Sequence, residues 1–348
     1  MLQPAVRLNF SGRRLRYHAA LFDLTFANAT AYLAARPEAP PGPWHVNVLG
    51  GGVSNTVLLA ENGYDRLVLK QSLAKLRVQE DWFADRTRIH RECAAMRRLA
   101  RHLPAGAVPP IVFEDRPNCI FAMRASGPGA RDWKSRLLAG EFSTDTAVRA
   151  ARILAAQIRS SWQSPECEVE FGDQRSFDEL RIDPYYRFTA GAHPGLAHYF
   201  RRLMTESAQR RVSLVHGDFS PKNLLVDGSR LTVIDFEVIH YGDPSFDSAF
   251  LLNHLLLKAV HMPDRAEAIA NLARHFWSAL STDLPAGMDW FERATTAHLG
   301  CLHLARVDGK SPAEYLTATG RERARRLAIL LIQEPPAHVL DAFKRITS

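Results

Sequence analysis

Cysteine is scarce in this sequence of 348 residues, which has only four. Cys93, Cys119, Cys167 and Cys301 form no Cys-x-x-C pair, and none has a histidine at the spacing of a metal site. A disulfide scaffold and a zinc-cysteine site are therefore excluded, and we expect four buried, reduced thiols.

Long apolar runs are also lacking. The longest candidate, residues 249–260, is interrupted by Asn253, His254 and Lys258, whereas a membrane-spanning helix needs about 20 apolar residues. Residues 1–26 carry several arginines but no uninterrupted apolar core and no small-residue cleavage site, so we expect no signal peptide. These absences favour a cytoplasmic protein that makes no contact with a membrane.

What the composition does contain is a basic surplus, since 44 Lys+Arg against 37 Asp+Glu give a formal net charge of +7 at pH 7. Such a surplus predicts an anionic partner and leaves open nucleic acid, nucleotide phosphates and acidic metabolites. The basic runs at residues 13–16 and 321–326 lack interleaved aromatic residues and accompany no nucleic-acid motif. They are typical of solvated helix faces, so we expect no nucleic acid as a partner.

The pattern of short apolar runs divides the chain into two lobes. Up to residue 127, β-like runs flank a glycine-rich turn and the hairpin signal Asn62-Gly63, and one helical pattern interrupts them. The strands are predicted at residues 46–49, 56–59, 66–70, 111–113 and 119–123, and the helix at 85–101. Beyond residue 127 helical spacing dominates, at residues 145–162, 198–211, 266–280, 289–307 and 311–334.

We therefore expect an α+β chain of two lobes preceded by an extension. The extension and a proline-rich linker occupy residues 1–43, the small β-rich lobe residues 44–127, and the larger, mainly helical lobe residues 128–348. The length supports this division, because a single core of this size is unusual.

The most informative stretch is a β-hairpin with three polar residues at one end. An apolar run leads into His216-Gly217-Asp218, Asn223 follows five residues after the aspartate, and the returning strand ends at Asp235. Two carboxylates and an amide in one cluster suit phosphoryl transfer: one Asp accepts the proton of a hydroxyl, and the Asn and second Asp hold Mg²⁺. Taken singly, each of these residues is also typical of a turn cap.

This constellation resembles the catalytic loop of the aminoglycoside phosphotransferase and choline kinase families, which share the protein-kinase-like fold. Protein kinases have H-R-D where this chain has His216-Gly217-Asp218, and D-F-G where it has Asp235-Phe236-Glu237. Residues 242–247 are similar to the G-D-P-x-x-D segment of the small-molecule kinases. The resemblance implies a bilobal kinase-like enzyme that uses ATP and Mg²⁺ and phosphorylates a small-molecule hydroxyl as a monomer or homodimer.

The resemblance also implies a role for each residue of the site. Asp218 is the catalytic base and Lys222 offsets charge beside the transferred phosphate, while Asn223 and Asp235 hold the metal. The implied nucleotide-binding residues are Lys70 with its partner Glu92, the turn residues Gly50, Gly51, Gly52, Ser54 and Asn55, and the hinge residues Met123, Arg124 and Ala125. For the acceptor, Arg306 and Lys310 at a predicted helix end suit a phosphate or carboxylate, or else they interact with the carbonyls of that helix end.

The sequence is compatible with several hypotheses about the acceptor and the activity. Lys70-Gln71 and a loop containing Trp82 are similar to the methylthioribose kinase branch and favour a sugar-like acceptor, beside amino alcohols and aminoglycosides. A non-catalytic ATP-binding module and a protein kinase are the alternatives to a small-molecule kinase. The motifs do not decide between ATP and GTP as the phosphate donor.

Overall fold

A five-stranded sheet forms the amino-terminal lobe of the computed structural model, which describes residues 22–50, 54–77 and 83–347. Its strands are β1 (His45–Val48), β2 (Asn55–Glu61), β3 (Arg66–Ser72), β4 (Ile111–Asp115) and β5 (Ile120–Arg124). Their spatial order is β1-β2-β3-β5-β4, and every neighbouring pair is antiparallel. The five predicted strands of this lobe are therefore present at or next to the positions that the sequence indicated.

The side chains of β3 alternate between the two faces of the sheet. Leu67 and Leu69 belong to a core on the outer face, whereas Val68 packs into the main core on the other face. Because side chains alternate with a period of two, Lys70 shares the inner face with Val68. Helix α2 (Arg88–Leu99) packs against β3 and β5, so Lys70 is directed towards this helix and the cleft below it.

The described part of the predicted extension packs on the outer face of the sheet. Helix α1 (Ala29–Ala34) contributes Leu33 and Tyr32 to the outer core. Gln71 accepts from the Leu24 N–H at 2.8 Å and donates to the carbonyl of Phe22 at 2.6 Å. Residues 22–43 therefore cover an apolar face that would otherwise be exposed.

The carboxy-terminal lobe is mainly helical, which confirms the predicted bilobal α+β fold. Its helices are α3 (Trp133–Leu138), α4 (Thr144–Ser161), α5 (Pro165–Phe171), α6 (Arg175–Phe177), α7 (Phe188–Ala192), α8 (Ala197–Gln209), α9 (Ser245–His261), α10 (Ala266–Thr282), α11 (Phe291–Asp308), α12 (Ala318–Gln333) and α13 (Asp341–Thr347). A π-helical segment, Asp178–Arg187, precedes α7, and 3₁₀ turns lie at Pro194–Leu196, Pro221–Asn223 and Pro263–Arg265.

Two small antiparallel ladders in this lobe present the predicted hairpin. They consist of β6 (Arg131–Asp132), β7 (Ser213–Val215), β8 (Leu224–Asp227), β9 (Arg230–Val233) and β10 (His240–Gly242). The hairpin β8-β9 pairs Leu224 with Val233, as the sequence predicted, and β7 pairs with β10. The segment between β7 and β8 and the segment after β9 therefore lie at the same end of the hairpin.

Two of the differences from the predicted helices have a clear physical cause. Helix α12 begins at Ala318 and not at residue 311, because the Thr317 side chain accepts from the Gly320 N–H at 3.1 Å and caps the helix there. Helix α9 is buried on all sides between α10, α11 and α12, and it has too little periodicity to be recognised as amphipathic. Across the described ranges, no helix combines the length and apolarity of a membrane span.

Gly217 provides a test of the backbone path through the predicted catalytic loop. It has φ +76°, and an added Cβ would lie 2.8 Å from Cγ2 of Val238. We expect Gly217→Ala to lose roughly 1–2 kcal/mol from the left-handed conformation and about 1–3 kcal/mol more from the contact. Gly140→Ala is the matched control, because Gly140 has φ +83° and open space around it. Urea denaturation that gives the two variants equal losses would show that the contact with Val238 is unimportant.

Candidate active site

A buried lysine lies between two carboxylates where the lobes meet. Nζ of Lys70 is 2.8 Å from Oε1 of Glu92 on α2 and 2.6 Å from Oδ1 of Asp235, which follows β9. Burial opposes the charge of Lys70, but the carboxylates of Asp235 and Glu92 hold its pKa above the usual value. Glu92 also accepts from the Phe236 N–H at 3.1 Å, so α2 is bonded to the chain beside Asp235.

Asp247, at the start of α9, fixes the loop that carries His216-Gly217-Asp218. Its two carboxylate oxygens accept from the N–H groups of His216 at 2.6 Å and Gly217 at 2.8 Å. His216 is itself buried, with Nε2 3.1 Å from the carbonyl oxygen of Ile234. Burial lowers the pKa of His216 to about 4, so its imidazole is neutral near pH 7. This histidine therefore braces the loop against the strand that leads to Asp235.

Asp218 is held by an arginine from the π-helical segment. A terminal guanidinium nitrogen of Arg181 lies 2.9 Å from Oδ2 of Asp218, and Nε donates to the carbonyl of Gly217 at 2.8 Å. Arg181 is buried, so this pair is shielded from solvent and the orientation of the carboxylate is fixed. One oxygen of Asp218 is thus engaged by Arg181.

Asn223 and Asp235 are brought together by the hairpin. The Asn223 carbonyl accepts from the Ile234 N–H at 3.0 Å, and its side-chain amide donates to the carbonyl of Asp218 at 3.0 Å. Asp235 has φ +70°, and this left-handed backbone turns the chain immediately after β9. Burial would raise the pKa of Asp235, but Lys70, Lys222 and Arg181 hold it well below the usual value.

This pair fits Mg²⁺ by the chemistry of its donors. A carboxylate that stays ionised and an amide oxygen are hard ligands, and Mg²⁺ takes few protein ligands because it keeps several waters. Within the described ranges, no group of three or more Asp, Glu, His or Cys residues forms a metal site. The two residues would therefore hold a metal only together with oxygen atoms from outside the protein.

Glu237, in place of the last glycine of D-F-G, joins three parts of the molecule. Its carboxylate accepts from the Ser54 hydroxyl at 2.8 Å, the Asn55 amide at 2.9 Å and Nε of Arg88 at 3.2 Å. Arg88, at the start of α2, also donates to the carbonyl of Ser54 at 2.6 Å. Ser54 and Asn55 are predicted to bind a nucleotide, which stays a prediction, and their side chains donate to Glu237. The far end of the predicted phosphate-covering turn is thus anchored to the hairpin of the other lobe.

The structure describes only some of the other residues that were predicted to bind the nucleotide. Gly50 is exposed, whereas Gly51, Gly52 and the Trp82 of the adjoining loop lie outside the described residues. Met123 is buried at the end of β5, and the N–H groups of Arg124 and Ala125 donate to the carbonyls of Pro110 and Arg66 at 2.8 and 2.9 Å. A base beside this segment would therefore meet backbone groups other than these two N–H groups.

Three further residues, Lys222, Arg306 and Lys310, were predicted to contact the transferred phosphate or the acceptor. Lys222 is exposed in the turn Pro221–Asn223. Arg306 is buried near the end of α11 and donates to the hydroxyl of Ser311 at 2.8 Å and to its carbonyl. Lys310 lies 3.2 Å from a carboxylate oxygen of Asp183. The structure thus separates Arg306, which faces inward, from Lys310, which lies near the surface.

The sequence analysis gave no role in this site to Arg181 or Asp247. Arg181 lies in a stretch with no motif, and Asp247 was noted only as part of the similarity of residues 242–247 to the G-D-P-x-x-D segment. The sequence gives little indication that Arg181 belongs to the site, since an arginine in a helix is ordinarily solvent-exposed. The three-dimensional path of the π-helical segment, not its sequence spacing, brings Arg181 to Asp218.

Comparison with known proteins gives one family match. A family model described as the phosphotransferase enzyme family matches residues 45–291. No curated protein sequence matches the chain significantly.

Solved structures of small-molecule kinases are similar in fold. A choline/ethanolamine kinase family protein from Mesorhizobium loti is 17% identical, with a TM-score of 0.52 over 92% of this chain and 99% of that chain. An amicoumacin kinase bound to AMP-PNP and Ca²⁺ is 16% identical, with a TM-score of 0.55 over 86% and 91%. A spectinomycin phosphotransferase bound to ADP and spectinomycin is 10% identical, with a TM-score of 0.51 over 93% and 99%.

The anchor at Glu237 provides a test of the site. We expect Glu237→Gln to lose about 3–5 kcal/mol of stability, because Arg88 keeps a buried charge without its partner. The variant should also bind ATP more weakly, since Ser54 and Asn55 lose their anchor. Thermal unfolding and titration calorimetry with Mg–ATP would measure the two effects.

Glu114→Gln is the matched control for this test. Glu114, on β4 of the small lobe, has a side chain as buried as that of Glu237 and pairs with His90, Arg97 and Arg116 away from the cleft. It should lower stability and leave ATP affinity unchanged. Equal loss of ATP affinity in both variants would contradict a local role for Glu237.

Proposed function

The chain belongs to the phosphotransferase enzyme family, and from this premise we propose that it transfers the γ-phosphate of ATP to a hydroxyl group of a small molecule. The observation that carries the proposal is the ion pair of Lys70 with Asp235 at 2.6 Å, next to a loop that presents Asp218 and Asn223. A cation, a base and two oxygen ligands at one point are what phosphoryl transfer requires.

Asp218 positions the acceptor hydroxyl and accepts its proton. The Arg181 guanidinium holds one carboxylate oxygen at 2.9 Å, so the other oxygen is directed at the acceptor in a fixed orientation. Asp247 and His216 hold the backbone of the loop from behind. This rigidity matters because a base must lie within hydrogen-bond reach of the proton that it removes.

Lys70 and Lys222 meet the negative charge of the nucleotide. Lys70 is directed into the cleft by Glu92, so its ammonium can contact phosphate oxygens without moving its backbone. Lys222 is exposed on the catalytic loop. Its positive charge lowers the pKa of Asp235, although less than the charge of Lys70 does. It can therefore offset charge on the phosphate during transfer.

Asn223 and Asp235 would hold Mg²⁺, and Mg²⁺ when bound neutralises phosphate charge and orients the phosphate chain. Asp235 contributes a carboxylate that stays ionised, and Asn223 an amide oxygen. Lys70 contacts Asp235 directly, so the same side chain would position both this carboxylate and the phosphates.

Asp218→Asn tests the catalytic assignment. We expect nucleotide binding to be preserved and turnover to fall by about 10²–10⁴-fold, the usual contribution of a general base. Turnover would be measured by phosphate transfer from radiolabelled Mg–ATP to sugars, amino alcohols and aminoglycosides. Asp178→Asn is the control, because Asp178 forms an exposed ion pair on the same segment as Arg181. Full turnover in Asp218→Asn would remove this residue from the mechanism.

Asp235→Asn tests the metal assignment. Asparagine tolerates the left-handed backbone of this position, so the change removes charge with little strain. Mg–ATP at about 100 times its Kd should stabilise the native protein by about 2.7 kcal/mol, and the variant should lose most of this. Asp227→Asn, at the turn of the same hairpin, should keep it. An unchanged Mg-dependent thermal shift in Asp235→Asn would refute the metal role.

The same screen separates an enzyme from a binding module. Mg–ATP binding without transfer to any acceptor class, in a chain that keeps Lys70, Asp218, Asn223 and Asp235, would favour a non-catalytic nucleotide-binding protein. Transfer to polypeptides in place of small molecules would favour a protein kinase.

A further inference from the structure

Lys258, on α9, is completely buried in the carboxy-terminal lobe. Nζ donates to the carbonyl oxygen of His254 on the same helix at 3.3 Å, and it lies 5.3 Å from the centre of the Tyr315 ring. No carboxylate within the described ranges forms an ion pair with it. A buried ammonium without a counter-charge is costly, so such a residue calls for a functional explanation.

Two further cations and the tyrosine share this region. Nζ of Lys134, on α3, lies 5.7 Å from the centre of the Tyr315 ring. Arg306, on α11, lies over the Tyr185 ring and donates to the Ser311 hydroxyl. We call Lys134, Lys258, Arg306 and Tyr315 the basic cluster.

Two donors of the basic cluster lack a partner among the described residues. They are Nε of Arg306, a residue that is 9% exposed, and the buried hydroxyl of Tyr315. Buried polar atoms are almost always hydrogen-bonded, so each marks a position that a ligand or water fills. Nε of Arg306 can only donate, so the group that satisfies it must be an acceptor.

The carboxylates near the basic cluster do not neutralise it. Glu314 pairs with Lys134, but its side chain is 64% exposed and therefore screened by water. Asp132 caps α3 by accepting from Ser135 at 2.8 Å. Burial, followed by the charges of Lys134 and Arg306, lowers the pKa of Lys258 to about 7. Lys258 is thus left without a carboxylate in direct contact among the described residues.

The basic cluster lies on the acceptor side of the catalytic loop. Helix α3 packs against the turn Pro221–Asn223 that carries Lys222. Arg306 contacts Tyr185, which follows four residues after Arg181, the partner of Asp218. Burial lowers the pKa of His254, and the charges of Arg306, Lys258, Lys134 and Lys222 lower it further.

We propose that the basic cluster binds an anionic group, a phosphate or a carboxylate, on the small molecule whose hydroxyl faces Asp218. The proposal rests on the proposed phosphoryl transfer and narrows its acceptor class. An anion offsets the charge of Lys258 and accepts hydrogen bonds from Arg306 and Tyr315. Acceptors that are polycations, such as aminoglycosides, are disfavoured by like-charge repulsion.

Acceptors matched in shape and different in charge test this proposal. Glucose 6-phosphate, glucose and glucosamine form one series, and glycerate, glycerol and serinol form another. With Mg–ATP, we expect kcat/KM at least about tenfold higher for the anionic member of any series that is phosphorylated. Equal or higher kcat/KM for the neutral or cationic member would overturn the proposal.

A binding measurement tests anion binding by the basic cluster independently of turnover. With saturating Mg–AMP-PNP occupying the nucleotide side, inorganic phosphate and acetate should raise the melting temperature of the native protein. Lys258→Met should abolish this shift and raise the KM of an anionic acceptor by at least about tenfold. It should also raise the melting temperature of the free protein, because a buried unpaired charge is removed.

Two further variants complete the test. Lys134→Met, at a half-exposed position, should also weaken the phosphate-induced shift, and it serves if Lys258→Met does not fold. Lys344→Met, at an exposed site on α13, should change neither the shift nor the acceptor KM. The absence of any anion-induced shift in the wild-type chain would overturn the proposal. The wild-type protein could prefer a neutral acceptor while Asp218→Asn still loses turnover. That result would refute only the anionic acceptor and would leave the proposed phosphoryl transfer standing.

Discussion

The ion pairs of Lys70 are the constraint on which the site depends. A buried ammonium is tolerated only with its counter-charges, and these come from α2 of the small lobe and from the end of β9 in the large lobe. Removing either carboxylate would leave the lysine undercompensated in a medium that solvates it poorly. The relative positions of sheet, helix and hairpin are therefore coupled through one side chain, which is also the side chain that we propose contacts phosphate.

Glu237 and Asp247 extend this logic to the rest of the cleft. Glu237 binds Ser54, Asn55 and Arg88, so the turn over the cleft and the start of α2 are tied to the hairpin. Asp247 holds two consecutive N–H groups of the catalytic loop from the start of α9. Hydrogen bonds to buried carboxylates are stronger than those between neutral groups, and they fix orientation. A base and metal ligands need that rigidity more than they need exposure.

The two sides of the catalytic loop differ in how their charges are balanced. On the nucleotide side, Lys70 is matched by Glu92 and Asp235, so its charge is compensated before a ligand arrives. On the proposed acceptor side, Lys258 lies beside a helix carbonyl and an aromatic ring, and no carboxylate among the described residues forms an ion pair with it. The first arrangement compensates the charge within the protein, whereas the second leaves the compensation to the anion that we propose binds there. This contrast gives part of the +7 net charge a location within the fold.

The amino-acid sequence alone was enough to predict the bilobal fold, the strand positions and the hairpin that brings Asp218, Asn223 and Asp235 together, because these follow from local alternation and turn chemistry. Only the tertiary structure placed Arg181 on Asp218, Glu237 on Ser54 and Asn55, and Lys258 beside Tyr315. These contacts join residues about 37 to 183 positions apart, whose meeting depends on helix packing and not on spacing. The start of α12 and the fully buried α9 were missed for a different reason, since a cap side chain and uniform burial leave little periodic signal.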